Sequence, residues 1–330
     1  MPPGQPGAPK MNPMGITVEE LGPPDVAALG SRVAANIAGA VKVPEGVLRE
    51  VLVALMADGH VLIEDHPGVG KTALARALAR SIDADYARIQ CTSDLLPSDV
   101  VGTNVFNQLE GRFEFRPGPV FAHLVLVDEI NRASPRTQSG LLECMQEGRV
   151  TVDGDSHPLA RPFMVLATQN PVDYEGTYPL PEAQLDRFMV RVSLGYPSPA
   201  QEAEMLSVHA GGDRVLDLSP VTSVAEIKLA QSACSEVHAS APLREYVVAL
   251  VGHTRRDPRV ELGASPRAGL MLLKAAKASA VLDGRDHALP DDVKGMAIAV
   301  LAHRLMLAPS AVGTVPEQVV RETLTTVRAL

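Results

Sequence analysis

The run Asp65-His66-Pro67-Gly68-Val69-Gly70-Lys71-Thr72 sets two glycines, a lysine and a hydroxyl residue in the order that phosphate chemistry needs. Glycines allow a tight turn whose backbone N–H groups face an anion. A lysine at this position can reach the β- and γ-phosphates of a nucleotide, and the threonine hydroxyl can hold Mg²⁺. Asp65 stands where the general G-x-x-x-x-G-K-[ST] pattern has its first glycine. With Ala73 at the start of the following helix, residues 65–73 form the candidate nucleotide-binding set, and His66 is expected to face solvent without a role.

Two further groups could complete hydrolysis. The apolar run at 123–127 ends in Asp128-Glu129. Asp128 is placed to assist Mg²⁺ and Glu129 to polarise the attacking water. A second apolar run at 163–167 leads to Asn170. A polar amide at that end of a strand can hydrogen-bond the γ-phosphate or the lytic water. Each group alone has an ordinary reading as a solvated strand end or a loop residue. Their joint occurrence behind a phosphate loop makes the catalytic reading the stronger one.

These groups need a scaffold that brings strand ends together. Residues 61–63, 124–127, 163–167 and 190–192 read as buried strands, and 47–56 and 72–81 as helices. Continuous apolar strands alternating with helices predict an α/β fold with a parallel sheet covered on both faces. The segments 103–106 and 112–115, around Leu109-Glu110-Gly111, read as a hairpin. So does 149–152, which leads into Asp153-Gly154. Beyond Pro199 no strand is expected. Ser223 with Glu226, Ser265 with Pro266, and Pro290 mark helix starts of a small helical domain. The expected division is a disordered Pro/Gly-rich tail at 1–28, an αβα core at 29–197 and a helical lid at 198–330.

Composition narrows the partners. The 330 residues carry a net charge of −9, of which residues 1–196 hold −8. No basic stripe of the kind that grips nucleic acid is visible, so a nucleic-acid partner is not expected. The three cysteines, Cys91, Cys144 and Cys234, are too scattered for a disulfide framework or a zinc site. No apolar run reaches the roughly 18 residues of a membrane span, and a cytoplasmic location is the expectation.

The combination resembles the MoxR family within the AAA+ superfamily. The resemblance is carried by residues 64–72, by Asp128-Glu129-Ile130-Asn131-Arg132-Ala133-Ser134-Pro135-Arg136, and by Leu141-Leu142-Glu143-Cys144-Met145-Gln146-Glu147. It continues through Ala167-Thr168-Gln169-Asn170-Pro171 and Leu185-Asp186-Arg187-Phe188, and covers about residue 30 to the C-terminus. It implies an AAA+ core followed by a helical lid, with ATP and Mg²⁺ between them. In such proteins Asn170 would be sensor 1, Arg187 the arginine finger reaching a neighbouring subunit, and Arg267 sensor 2 on the lid. Arg132 and Arg136 are rivals for the finger. The hairpins resemble the helix-2 insert and presensor-1 hairpin of this clade. Four phenylalanines, Phe106, Phe113, Phe115 and Phe121, fall at the first hairpin and serve either substrate contact or packing.

What the resemblance implies for function is an ATP hydrolase that remodels, activates or matures a protein client as a homo-oligomeric ring, with a hexamer the expectation. A partner bearing a von Willebrand factor A-type domain belongs to the same implication. A nucleic-acid motor or loader of the same clade, or a chelatase motor subunit, remains the alternative.

Overall fold

A computed structural model describes residues 20–170, 177–196, 199 and 214–329. At its centre are β1 (Val61–Glu64), β2 (Tyr86–Gln90), β5 (Leu124–Asp128), β8 (Met164–Gln169) and β9 (Val190–Val192), all parallel, in the order β2-β5-β8-β1-β9. Successive residues of β5 serve two cores. Leu124 and Leu126 join one apolar cluster, and Val125 and Val127 join the other, the period-two alternation of a strand buried on both faces. Full burial of each such side chain contributes about 1.5–3 kcal/mol, which explains why this strand reads as an unbroken apolar run.

Helices α3 (Lys71–Ser81) and α5 (Pro135–Glu147) return the chain across the sheet. Two antiparallel hairpins interrupt the core, β3 (Gly102–Asn107) with β4 (Arg112–Pro117), and β6 (Arg149–Val152) with β7 (Asp155–Pro158). Both were expected. The short helix α4 (Pro97–Val101) leads into the first. The phenylalanines divide between the two readings. Phe115 stacks on His157 at 3.9 Å and meets Phe121 edge-on, whereas Phe106 and Phe113 pair with each other and stay exposed beside Leu109. Asn104 donates to Asp153 at 2.8 Å and ties the two hairpins together.

The helical part contains α7 (Val224–Glu236), α8 (Ala241–Thr254), α9 (Pro266–Leu282), α10 (Pro290–Leu301) and α11 (Pro316–Thr326). The expected starts hold: Ser223 and Glu226 form a reciprocal cap, and the Ser265 hydroxyl accepts the Ala268 N–H at 3.1 Å. The short helix α6 (Glu182–Leu185) precedes β9.

Three expectations need correction. Residues 23–28 are not tail: α1 (Pro23–Ala40) begins there, with Val26 and Leu29 buried. Pro23 and Pro24 occupy the first turn, where the missing N–H groups cost nothing; residues 1–19 lie outside the described residues, as does the expected boundary at 197 and 198. The helical part does hold strands, β10 (Val260–Leu262) and β11 (Met306–Leu307), paired antiparallel. The sheet also has a fifth strand, β2, on an edge where Arg88 and Gln90 face outward.

One apolar cluster runs from β1 and β5 through α1, α2 (Glu45–Met56) and α3 into all five helices α7–α11. The lid and one face of the sheet therefore share a core. No helix among the described residues is long and apolar enough to cross a membrane.

Candidate functional site

The phosphate loop follows β1 and ends at the first turn of α3. Gly68 and Gly70 adopt φ of +85° and +95°, a region open to glycine without strain, and the loop delivers the α3 N-terminus with its free N–H groups. Lys71 donates to the Asp65 carbonyl at 2.7 Å. Burial pushes its ammonium below the usual lysine range, against the pull of Asp65, Asp128 and Glu129. Those three carboxylates thus lie within electrostatic reach of Lys71.

The Asp65 carboxylate is taken up by donors of the protein itself. Its Oδ2 accepts from the Gly195 N–H at 2.7 Å and the Ser193 hydroxyl at 3.1 Å, and Oδ1 accepts from the His66 N–H at 2.9 Å. The residue braces the loop against the segment after β9. His66 is likewise not simply solvent-facing. Its ring stacks on Tyr196, with centroids 5.3 Å apart and planes 18° from parallel. The pair walls one side of a 520 Å³ cleft also lined by Glu64, Arg191, Ile298 and Glu317.

At the end of β5, Asp128 is 7% exposed and accepts from Arg88 Nε at 2.7 Å. Glu129 has a left-handed backbone, φ +55°, a conformation that a side chain with a Cβ adopts only when neighbours enforce it. The neighbour is Thr168 on β8, one residue past the aligned pair Val127 and Ala167. Its hydroxyl accepts the Glu129 N–H at 2.9 Å and donates to Asp128 Oδ1 at 3.3 Å. The Glu129 carboxylate accepts from Arg132 at 2.8 Å. Thr168 and Arg88 were not singled out from sequence. A buried polar residue at the height of Asp128 on the adjacent strand was the available signal.

The nucleotide and metal expectation can be tested on the donor set. Adding a Cβ at Gly68 or Gly70 meets nothing within 4 Å, so the turn is an open cradle. Thr72 and Asp128 offer only hard oxygens, as Mg²⁺ prefers. No group of three metal-ligating side chains exists among the described residues. That suits an ion carried chiefly by phosphate and water. The residues fit.

Lys71, Thr72, Asp128, Glu129 and Asn170 all sit at the carboxyl edge of the sheet. Arg187 and Arg267 do not. Arg187 precedes β9, whose first residue pairs with Val61 at the start of β1. Arg267 donates to Gln146, at the C-terminal end of α5, at 3.4 Å. Buried His60, just before β1, contacts the Met145 carbonyl at 3.1 Å, which fixes this as the opposite edge. At about 3.3 Å per residue, β1 separates the two edges by about 13 Å. The lid arginine, Arg267, thus stands at the edge of the sheet opposite its own chain's phosphate loop. Arg187 and Arg267 lie within electrostatic reach of each other: burial first, then Arg267, lowers the affinity of Arg187 for its proton, while Glu143 and Glu147 raise it. The Nη1 of Arg187 is buried without a hydrogen-bond partner. Arg132 and Arg136 lie at the other edge, after β5 and in the first turn of α5.

Comparison with known proteins agrees with the fold. The profile of the ATPase family associated with various cellular activities (AAA) matches residues 60–190, and that of the AAA lid domain matches 252–323. The chain is 52% identical over 279 residues to the uncharacterized protein YeaC of Bacillus subtilis, covering 84% of this chain and 87% of that one. It is 40% identical over 292 residues to Chaperone MoxR1 of Mycobacterium tuberculosis, covering 85% and 77%. A solved structure of a candidate ATPase from Cytophaga hutchinsonii superposes with a TM-score of 0.87 at 36% identity, covering 93% of this chain and 97% of that one. With the fold, the phosphate loop and these relatives in agreement, the chain belongs to the MoxR family of AAA+ ATPases.

Proposed function

We propose that the chain is the motor subunit of a homo-oligomeric ring that couples ATP hydrolysis to remodelling or maturation of a protein client. The observation that carries this reading is the placement of Arg187 and Arg267 at the edge of the sheet opposite Lys71. Two guanidiniums without a phosphate of their own are suited to one held by a neighbouring copy. Within each site Lys71 and the α3 N-terminus bind the phosphates, and Thr72 and Asp128 would hold Mg²⁺. The ion supplies charge neutralisation to the β- and γ-phosphates when bound. Glu129 polarises the attacking water once it leaves Arg132, and Asn170 holds that water or the γ-phosphate. A trans-acting arginine typically contributes about 10³–10⁵ in rate. A hexamer, a partner with a von Willebrand factor A-type domain and a cytoplasmic setting are parts of this reading that come from the family resemblance.

Glu129→Gln is the direct test. It should bind ATP normally, lose turnover, and retain oligomers and client when ATP is present. Ordinary turnover in this variant removes Glu129 from its role. A strictly monomeric, fully active ATPase overturns the ring. Retention of DNA or RNA instead of protein redirects the reading to a nucleic-acid motor.

A further inference from the structure

Asp186 is the only residue between α6 and Arg187, and its carboxylate is held from two sides of the lid. Oδ1 accepts from Arg304 Nε at 2.7 Å, and Oδ2 accepts from the Ser265 hydroxyl at 3.0 Å. Ser265 uses its one proton there while its oxygen caps α9 by accepting the Ala268 N–H. Arg304 is 5% exposed. Beyond the carboxylate it donates to the backbone carbonyls of Asp186 at 3.3 Å, Phe188 at 2.5 Å and Met189 at 3.3 Å. The peptide that carries Arg187 is thus wrapped by one buried guanidinium. The helix that carries Arg267 is hydrogen-bonded, two residues upstream of it, to the same carboxylate.

Mutual repulsion opposes bringing Arg187 and Arg267 together, and the buried Nη1 of Arg187 makes no hydrogen bond. A buried charge pair is costly to assemble and specifies geometry more than it stabilises. Here the pair Asp186–Arg304 ties the segment bearing Arg187 to the turn after α10, and the Asp186–Ser265 bond ties it to the N-cap of the helix bearing Arg267.

We propose that Asp186 is a positioning residue: by bridging Arg304 and Ser265 it locks Arg187 and Arg267 into one fork for the terminal phosphate of a nucleotide bound by a second copy of the chain. This rests on the reading of the two arginines as acting on a neighbour. Asp186 touches no substrate itself. A misplacement of about 1 Å in such a fork costs on the order of a hundredfold in rate.

The test uses full-length Asp186→Asn and Ser265→Ala, each assayed for ATP hydrolysis alone and mixed equally with Glu129→Gln. The Glu129→Gln subunit has a silent pocket and intact arginines, so it can serve the active pocket of its neighbour. We expect kcat to fall about a hundredfold for Asp186→Asn and about tenfold for Ser265→Ala, with KM changed less than about threefold. Each mixture should exceed the summed activity of its two components several-fold. A merely structural defect would not be rescued by a neighbour. Should Asp186→Asn fail to fold by circular dichroism, Ser265→Ala, which leaves the Asp186–Arg304 pair in place, decides the matter. Arg187→Ala mixed with Glu129→Gln is the control. No rescue there refutes action on a neighbour. Rescue there, with none for Asp186→Asn or Ser265→Ala, refutes the positioning role alone, as does wild-type kcat in both variants.

Discussion

Replacing Thr168 with valine removes one hydroxyl and almost no volume, yet it should damage both stability and turnover. The hydroxyl accepts the Glu129 N–H and donates to Asp128. Valine leaves that N–H unpartnered, at about 1–2 kcal/mol. It also withdraws the contact that offsets the left-handed backbone of Glu129, itself worth about 1–2 kcal/mol. Relaxation of that backbone relieves part of the strain, so the net loss of stability should be about 2 kcal/mol. The same relaxation swings the Glu129 carboxylate from its place, and kcat should fall about a hundredfold. Thr168→Ser keeps the hydroxyl and should retain most of both properties. Urea unfolding and steady-state ATP hydrolysis measure the two effects separately. A valine variant that loses stability but keeps kcat within about twofold refutes the reasoning, because Glu129 would then not depend on Thr168 for its orientation.

Arg132→Ala discriminates by sign. The exposed pair with Glu129 is worth at most about 1 kcal/mol, so its removal should raise basal turnover by no more than about fivefold; a fall of about 10³ would make Arg132 the trans-acting residue instead. Lys71→Ala should abolish measurable ATP binding by calorimetry, and unchanged affinity would dismiss its phosphate contact. Burial pushes the Glu50 carboxyl up to about 7. From about pH 4.3 to 7 the folded chain keeps a proton that the unfolded chain has lost. Stability should therefore fall as pH rises through this window, and Glu50→Gln should flatten the decline. Burial holds His60 down at about 4. The unfolded chain then takes a proton first as pH drops from about 6.5 to 4, so this group destabilises the fold in the opposite direction. Each slope is best read as wild type minus variant in urea titrations, Glu50→Gln for one and His60→Asn for the other.

Legibility in the sequence followed burial and local turn chemistry. β1, β5, β8 and β9 are apolar because both faces of the sheet are covered, and Asp153-Gly154 marks its hairpin without tertiary help. β2 escaped because an edge strand with Arg88 and Gln90 outward has no apolar run. β10 and β11, three and two residues long, are paired by the surrounding helices more than by their own pattern. α1 escaped because Pro23-Pro24 continues a proline-rich stretch, and only the buried Val26, Leu29, Val33 and Ile37 reveal the turn to helix. In the candidate site, the residues of the local loop proposed to bind phosphate were legible. Those that act across the sheet, Thr168 and Arg88, depend on strand order. The edge on which Arg267 falls depends on how the lid packs, which no local pattern encodes.

The apolar core shared by sheet and lid has a consequence for how the chain is made and cut. Gly30 of α1 lies so close to Leu282 of α9 that a Cβ there would come within 2.4 Å of its Cδ2. A truncation after Tyr196 would bare the faces of α1 and α2 that the lid covers, Val26, Leu29 and Val51 among them. Neither half is an autonomous folding unit by this measure. Nascent chains leaving a ribosome would hold a greasy half-molecule until α11, which completes the shared core, emerges. Engineered splits or fusions would do best at the ends of the shared core, not at the seam between ATPase core and lid.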